Sequence, residues 1–412
     1  MAGIVRGWCQ LSRNPLVFGA AVMVAYFVAI LPVLIYRDFD FSVFIVAGDQ
    51  MVNANEVASP IIIRTNSGGY DGEYYYRLAL APFSLQQRAF GVAFDVPALR
   101  MLRIGYPIIA WGLSLGQAAW VPMSLVFTNL IGLGAIAFFA SRITIRLRLD
   151  FQAALLVALW PGFIVTLMHD TTEIVAAALL LATLDFYFAG KILWFGFLGA
   201  LATLTRETSI LALAGILFFE LVRFWRQGFA REAMYRVLIC GFSLIPYLLW
   251  RQAQQLFWDA SPAEAAIPNL HWSLTGPLEA LRDIITNARI STPGRHWFIS
   301  TSFDAVSIMF VLMFIALGLW HVLVCRRAND AARALVFAWL PVLALMMSLT
   351  PNGPWTDPTA YFRAFTECFV IGSFILFLEP NTKLLRGLVL IAVALLWIGA
   401  CGQTSLTQPF LF

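Results

Sequence analysis

Long apolar runs separated by short polar stretches recur from one end of the chain to the other. The first run, residues 16–36, is uncharged and long enough to cross about 30 Å of hydrocarbon. Eleven more follow near 105–120, 122–141, 151–168, 172–189, 192–205, 208–224, 236–252, 304–325, 331–349, 361–379 and 386–402. The pattern predicts an all-α polytopic membrane protein. Because no small-x-small cleavage pattern follows the first run, we predict that it is a retained signal anchor.

Basic residues between the runs give a predicted orientation. Short basic loops stay in the cytoplasm, and the basic residues here are Arg142, Arg146, Arg148, Arg223, Arg226, Arg231, Arg236, Arg326, Arg327, Arg333, Lys383 and Arg386. If 16–36 runs outward and 122–141 runs inward, 105–120 cannot also be a complete crossing. We therefore predict an external membrane-embedded helix at 105–120 and eleven crossings, with the N-terminus inside and the C-terminus outside. The alternative is a true crossing there and a weaker span elsewhere.

This orientation places the remaining charged clusters on the outer side of the membrane. The clusters are Tyr70 to Arg77, His169 to Glu173, Thr205 to Thr208, and Thr350 to Glu367. Two external segments are long, 37–105 and 253–303, and the second contains an amphipathic stretch at 277–290. We therefore expect any chemistry to be extracytoplasmic.

Composition excludes a soluble protein and gives no sign of a nucleic-acid partner. The 412 residues are 60% hydrophobic and 12% charged, with a mean hydropathy of +0.79, and the net charge of +4 lies in short loops. The five cysteines and four histidines are too dispersed for a disulfide framework or a zinc site. Asp38-Phe39-Asp40 has the D-x-D spacing of a divalent metal site, but a solvated turn is the favoured interpretation. No cofactor is predicted.

The first cluster, Tyr70-Asp71-Gly72-Glu73-Tyr74, has two interpretations. A carboxylate near the bilayer is costly unless it is paired or lines a wet cavity, which favours a functional role. Alternatively, Asp71 caps a surface helix whose tyrosines form an interfacial belt.

The next two clusters also have structural alternatives. Asp170 and Glu173 precede an apolar run at the spacing of a capping box, so they either begin a helix or face the same cavity as Asp71. For Arg206 the structural interpretation is a side chain that reaches the membrane surface at a helix end and pairs with Glu207.

The order of these motifs resembles that of GT-C membrane glycosyltransferases, particularly the PIG-V-like mannosyltransferases and their bacterial relatives in cell-surface glycopolymer synthesis. The resemblance covers about residues 65–215. Its motifs are Tyr70-Asp71-Gly72-Glu73-Tyr74-Tyr75-Tyr76-Arg77-Leu78-Ala79, Arg103-x-x-Tyr106-Pro107, an Asn129-containing span, Pro161-Gly162 followed by His169-Asp170-Thr171-Thr172-Glu173, and Leu204-Thr205-Arg206-Glu207-Thr208.

The resemblance implies a GT-C-like bundle of about 11 transmembrane helices, with a large first external loop that carries juxtamembrane helices. A catalytic module would occupy 1–215, including the external loop 37–105. A variable module would occupy 216–412, including the external loop 253–303.

The resemblance also implies an inverting glycosyltransferase of the bacterial inner membrane, with its site facing the periplasm. Asp71 would be the general base, and Arg206, then Arg363, would bind the phosphate of a polyprenyl-phosphate sugar donor. The acceptor would be a glycan, lipid or protein. The other candidate substrate-binding residues are Glu207, Asp170, Glu173, His169, Glu73, Arg77, Arg103 and Tyr106. The alternative is a transporter or flippase of a lipid-linked sugar, which should bury charges mid-membrane and often contains internal repeats.

Overall fold

A computed structural model describes residues 14–259, 270, 274–290, 295–324, 329–351, 353–379 and 382–407 of the chain. Within these ranges, the side chains of residues 287–290, 295–301 and 404–407 are not described. Arg326 and Arg327, on which part of the predicted orientation depends, lie outside the described residues.

The first half of the described chain contains helices of very different length, from four to 26 residues. They are α1 (Pro15–Tyr36), α2 (Gly72–Leu80), α3 (Pro97–Arg100), α4 (Gly105–Leu113), α5 (Val121–Arg146), α6 (Gln152–Ala158), α7 (Pro161–Leu167), α8 (Glu173–Phe188) and α9 (Ile192–Thr205). Short 3₁₀ helices lie at Phe41–Phe44 and Ala118–Trp120, and two-residue strands form two pairs, Ala47–Gly48 with Ile63–Arg64 and Arg88–Ala89 with Val92–Ala93.

The second half adds helices α10 (Ser209–Arg226), α11 (Arg231–Phe242), α12 (Ile245–Trp258), α13 (Gly276–Ile290), α14 (Arg295–Val324), α15 (Asp330–Met347), α16 (Pro358–Ala364), α17 (Thr366–Leu376) and α18 (Lys383–Thr407). The amphipathic stretch predicted at 277–290 is therefore helical, as α13. Its position on a membrane surface stays a prediction.

Six helical segments among the described residues are long and apolar enough to cross a membrane. They are α1, α5 with the 3₁₀ turn before it, α11 joined to α12, α14, α15 and α18. The bent pair α16 and α17, with a 60° angle between them, would raise the number to seven. The prediction of an all-α polytopic membrane protein is confirmed, but the number of about eleven crossings is not.

Helix α4 occupies the stretch at 105–120 that created the parity conflict. Its nine residues correspond to about 13 Å at 1.5 Å per residue, less than half the hydrocarbon thickness. The chain then turns through Leu115, which is 82% exposed, and enters α5. A helix this short agrees with the embedded helix and not with a crossing.

The apolar stretch at 151–168 is a pair of short helices, α6 and α7, rather than one. The break falls at Trp160-Pro161, because the residue before a proline avoids helical dihedrals and Trp160 has ψ 122°. All seven residues of α7 are buried. The turn after α7 contains the His169 to Thr172 cluster and leads directly into α8.

Residues 37–105, the segment predicted to be the first external loop, have a hydrophobic core of their own. Tyr74, Tyr75 and Tyr76 of α2 are 4%, 1% and 0% exposed and pack with Val92, among other apolar side chains. The interpretation of these tyrosines as an exposed interfacial belt is wrong. The loop does carry short helices, α2 and α3, as the sequence predicted.

Candidate functional site

Asp71 occupies the position before α2, but its carboxylate makes no capping hydrogen bond. The capping interpretation is therefore wrong, and the side chain is free for other contacts. Gly72 explains how the loop reaches this place: a Cβ there would lie 2.5 Å from the carbonyl oxygen of Ile45 and 2.6 Å from that of His169. Only glycine allows the Asp71 backbone to lie this close to the turn between α7 and α8.

Asp71 is the point where three ion pairs meet. Its Oδ1 lies 2.7 Å from a guanidinium nitrogen of Arg100, and its Oδ2 lies 2.9 Å from Arg363 and 4.0 Å from Arg103. The side chain of Asp71 is 22% exposed. It is therefore a reachable carboxylate enclosed by three cations.

These cations determine the protonation state of Asp71. Burial by itself raises the pKa of a carboxyl group, but Arg363, Arg100 and Arg103 outweigh burial and hold the pKa of Asp71 well below its usual range. Asp71 is therefore ionised at neutral pH.

The first branch of this network extends through Arg363 on α16. The Nε and one terminal nitrogen of Arg363 bind Oε1 of Glu173 at 3.1 and 2.9 Å. Helix α16 is held in place by Trp160, whose indole N–H donates to the carbonyl of Phe362 at 3.1 Å. Gly162 permits the same close approach of α7 and α16, since a Cβ there would meet that carbonyl at 2.4 Å.

The branch continues from Glu173 to Arg206 and Glu367. Arg206 lies 3.8 Å from Glu173 and forms its short ion pair with Glu367, which also accepts from the Thr208 hydroxyl at 2.7 Å. The capping interpretation of Glu173 fails here too, because Thr172 occupies the N-cap position of α8 without a side-chain bond. Arg206 is 5% exposed and is connected to Asp71 through Glu173 and Arg363.

The second branch joins the first external loop to the turn after α9. Arg103 binds Glu207 with two parallel bonds of 2.9 and 2.6 Å, and it also donates to the Tyr75 hydroxyl at 3.2 Å. A bidentate pair of this kind is geometrically specific. The interpretation in which Arg206 pairs with Glu207 is wrong, because each has a partner elsewhere in the chain.

The third branch lies within the loop. Arg100 binds both oxygens of Asp95 at 2.8 and 2.7 Å, and its guanidinium stacks 4.4 Å above the ring of Tyr74. Arg100 therefore reaches Asp71 from a fixed position.

Three further candidates line or support the same place. The centres of the His169 and Tyr70 rings are 4.6 Å apart. The guanidinium group of Arg363 also lies over the Tyr70 ring, 4.9 Å from its centre. Asp170 is fully buried beside the Tyr106 hydroxyl, with an unusual φ of 45°. These groups shape the wall behind Asp71 and Glu173.

Two candidates lie away from the ionic network. Glu73 is turned under the loop, where it accepts the Gly48 backbone N–H at 3.0 Å. Arg77 donates to the carbonyl of Gln87 at 2.8 Å and stacks 3.7 Å from the ring of Phe94. Both hold the loop together and do not contact Asp71.

Arg100, one of the external arginines that the sequence offers for the phosphate, and Glu367, the last residue of the fourth charged cluster, belong to the network but were not among the chosen site residues. The sequence placed both on the outer side, but no spacing in the chain relates them to Asp71 or Arg206. The side-chain pairing across 29 and 161 positions that reveals them exists only in the fold.

An apolar groove runs along α8, the helix that begins at Glu173. Its volume is about 500 Å³, and it lies between α4, α5, α8 and α9. Val175, two residues after Glu173, lines its near end, and Phe186 lines its far end. The eleven helical steps from Val175 to Phe186 rise by about 16 Å. The groove and Glu173 of the ionic network therefore share one helix.

The D-x-D stretch contributes to local structure. Asp40 caps the first 3₁₀ helix by accepting the Ser42 backbone N–H at 2.9 Å. Within the described parts of the chain, no group of three or more His, Cys, Asp and Glu side chains could hold a metal ion. The expectation of no cofactor stays a prediction.

No family model matches the chain, and no curated protein matches its sequence. Among solved structures, it is similar to ArnT from Cupriavidus metallidurans in the apo state, with 15% identity and a TM-score of 0.34. The match covers 92% of this chain and 76% of that one. The GT-C and PIG-V-like relationship predicted from the motifs therefore stays a prediction.

Proposed function

We propose that the protein is a GT-C type inverting glycosyltransferase that uses a polyprenyl-phosphate sugar as donor. The observation that carries the proposal is Asp71, a reachable carboxylate among three arginines, in a fold where an apolar groove runs along α8, the helix that begins at Glu173. The groove suits a prenyl chain, the arginines suit the phosphate, and the carboxylate suits the acceptor hydroxyl.

In the proposed reaction, Asp71 accepts the proton of the acceptor hydroxyl. The hydroxyl oxygen forms a bond to the anomeric carbon as the bond from that carbon to the phosphate oxygen breaks. The polyprenyl phosphate leaves with the electron pair, and a nearby guanidinium stabilises its charge. One displacement inverts the anomeric configuration.

The arginines also link donor binding to the basicity of Asp71. A carboxylate held by three guanidinium groups is a weak base, because its pKa is well below the usual range. A donor phosphate that competes for Arg363 and Arg100 would weaken those ion pairs and raise the pKa of Asp71. The carboxylate would then be most basic when donor is present.

The geometry favours a change in the predicted phosphate ligands. Arg206, the first choice from the sequence, is almost fully buried and engaged by Glu367, whereas Arg363 and Arg100 contact Asp71 directly. We propose Arg363 and Arg100 as the phosphate ligands, with Arg206 as a residue that positions Glu173. The bacterial inner membrane, a periplasmic site and a glycan, lipid or protein acceptor remain part of the proposal.

Replacement of Asp71 by asparagine tests this function. Asp71→Asn keeps the shape but cannot accept the proton, so we expect sugar transfer from a synthetic polyprenyl-phosphate mannose to fall by 100-fold or more. Glu56→Gln is the matched control, because Glu56 is an exposed carboxylate of the same loop, paired with Arg88 at 3.4 Å.

The assay uses purified protein in detergent with a mixture of short glycan and lipid acceptors and detects products by mass spectrometry. Both variants should elute as folded protein. Equal transfer by Asp71→Asn and wild type would refute the role of Asp71. Movement of the donor across proteoliposomes without any transferred product would instead favour the flippase alternative.

A further inference from the structure

A second cavity lies at the opposite end of the helices from Asp71. Its volume is about 510 Å³, and it is enclosed by the ends of α5, α8 and α10 and the beginnings of α11 and α15. Four arginines line it, namely Arg146, Arg148, Arg223 and Arg236. The sequence predicts only that basic residues lie at this end, whereas the fold makes them converge on one cavity.

Two buried carboxylates hold part of this arginine cluster in place. Asp185 binds Arg142 at 2.9 Å and Arg146 at 2.5 Å. Glu220 accepts from Arg236 at 2.8 Å and from the Tyr187 hydroxyl at 2.6 Å. Both carboxylates have side chains that are 0% exposed. The cluster is therefore a built structure and not a set of independent surface side chains.

The positive charge of the cavity exceeds the charge of these carboxylates. Arg223 lies 3.8 Å from Glu220, which already binds Arg236, and Arg148 forms no ion pair with any residue in the described ranges. A third carboxylate, Asp330, lines the cavity itself and lies 3.6 Å from Arg333. Two guanidinium groups are thus available to an anion.

The beginning of α15 adds backbone donors. Asn329 caps this 18-residue helix by accepting the Ala332 N–H at 2.8 Å. Asp330 and Ala331, the first two helical residues, line the cavity. The first N–H groups of a helix have no partner within the helix, and they favour a phosphate.

The residues around the cavity are of the kind found at the level of lipid headgroups. Trp225 and Tyr235 flank it on α10 and α11 and are 77% and 44% exposed, as aromatic side chains at a membrane interface are. Ile145, one residue before Arg146, is 52% exposed, so apolar surface adjoins the cavity. A lipid phosphate can enter while its acyl chains stay in the bilayer.

We propose that this cavity binds the phosphate of an anionic phospholipid headgroup. The site is separate from the Asp71 network and does not depend on the proposed transferase activity. Guanidinium groups and helix N–H groups recognise the phosphate, and the adjoining apolar surface distinguishes a lipid from a soluble phosphate compound.

The experiment measures thermal unfolding of the full-length protein in detergent with added dioleoylphosphatidylglycerol, dioleoylphosphatidylcholine or inorganic phosphate. The double variant Arg148→Gln/Arg223→Gln removes the two available charges, while Arg142, Arg146 and Arg236 still pair with the buried carboxylates. Arg226→Gln is the control. It removes an exposed arginine from the same last turn of α10, outside the cavity lining.

We expect phosphatidylglycerol alone to raise the unfolding midpoint with saturation. The double variant should weaken the apparent affinity about 30-fold, at about fivefold per charge, and Arg226→Gln should bind as the wild type does. Equal weakening by the double variant and Arg226→Gln would reduce the effect to general surface charge and overturn the site. Stabilisation by inorganic phosphate equal to that by phosphatidylglycerol would overturn the lipid assignment.

Discussion

At the scale of single residues, the candidate site depends on one glycine beside one carboxylate. Asp71 reaches Arg363 because Gly72 lets the loop backbone lie against the carbonyls of Ile45 and His169. Asp71 therefore supplies the charge, and Gly72 allows the backbone to place that charge near Arg363. A side chain at position 72 would move the carboxylate without changing its chemistry.

Gly72→Ala tests this positioning. The added Cβ would lie 2.5 and 2.6 Å from two backbone oxygens, so we expect a loss of about 1–3 kcal/mol of stability and, on the proposed function, about 100-fold in transfer rate. Gly112→Ala is the control, because nothing lies within 4 Å of its Cβ position on α4. It should gain about 0.5–1 kcal/mol and keep activity. Matching unfolding midpoints for the two variants would contradict the steric argument.

At the scale of elements, the loop between α1 and α4, predicted to be external, forms a small folded unit joined to the helices. Its tyrosines form a core, and Glu73 links α2 to Gly48 beneath them. Glu73 is 0% exposed. Burial raises the pKa of Glu73 from 4.5 to about 7, although the Gly48 N–H acts in the opposite direction. The loop therefore contains a carboxyl group that gains a proton near neutral pH.

This pKa predicts a pH dependence of stability. Between pH 4.5 and 7 the folded protein keeps a proton on Glu73 that the unfolded chain has lost, so stability falls as pH rises through this window. The free energy of unfolding falls by about 3 kcal/mol in total across this window. Glu73→Gln removes this contribution, so its unfolding midpoint relative to wild type should rise from pH 4.5 to 7 and then stay level. A constant difference across that range, measured in detergent, would argue against a raised pKa.

At the scale of the whole molecule, charge separates to the two ends of the helices. Helices α8 and α10 begin beside the Asp71 network and end at the arginine cavity. This separation agrees with the orientation predicted from the basic loops, in which the arginine end is cytoplasmic. The side of the membrane that each end faces is a prediction.

Cysteine labelling can establish that orientation. Thr65 lies exposed in the loop beside the Asp71 site, and Gln227 lies exposed at the arginine end. In a background without native cysteines, a membrane-impermeant maleimide should label Thr65→Cys in cells with a permeabilised outer membrane. Gln227→Cys should react only after the inner membrane is opened. The reverse order would place the Asp71 site in the cytoplasm.

The sequence by itself determined the features that depend on local patterns. Apolar periodicity and length identified a helical membrane protein, and the interrupted stretch at 105–120 correctly indicated a helix too short to cross. The apolar context of Asp71 left a functional role and helix capping equally open, and only the resemblance of its motif to GT-C glycosyltransferases singled it out as a base. Helix breaks within 151–168 were missed, because an apolar run has the same composition whether it is straight or broken.

Only the tertiary structure decided the partners of each charge. Asp71 and Arg363 are 292 positions apart, and Arg206 pairs with Glu367 rather than with its neighbour Glu207. Ion pairing depends on distances of a few ångströms between side chains. These distances cannot be deduced from the order of the charged residues along the chain. The same applies to the arginine cavity, because basic residues that are far apart in the sequence line one cavity only where five helix ends meet.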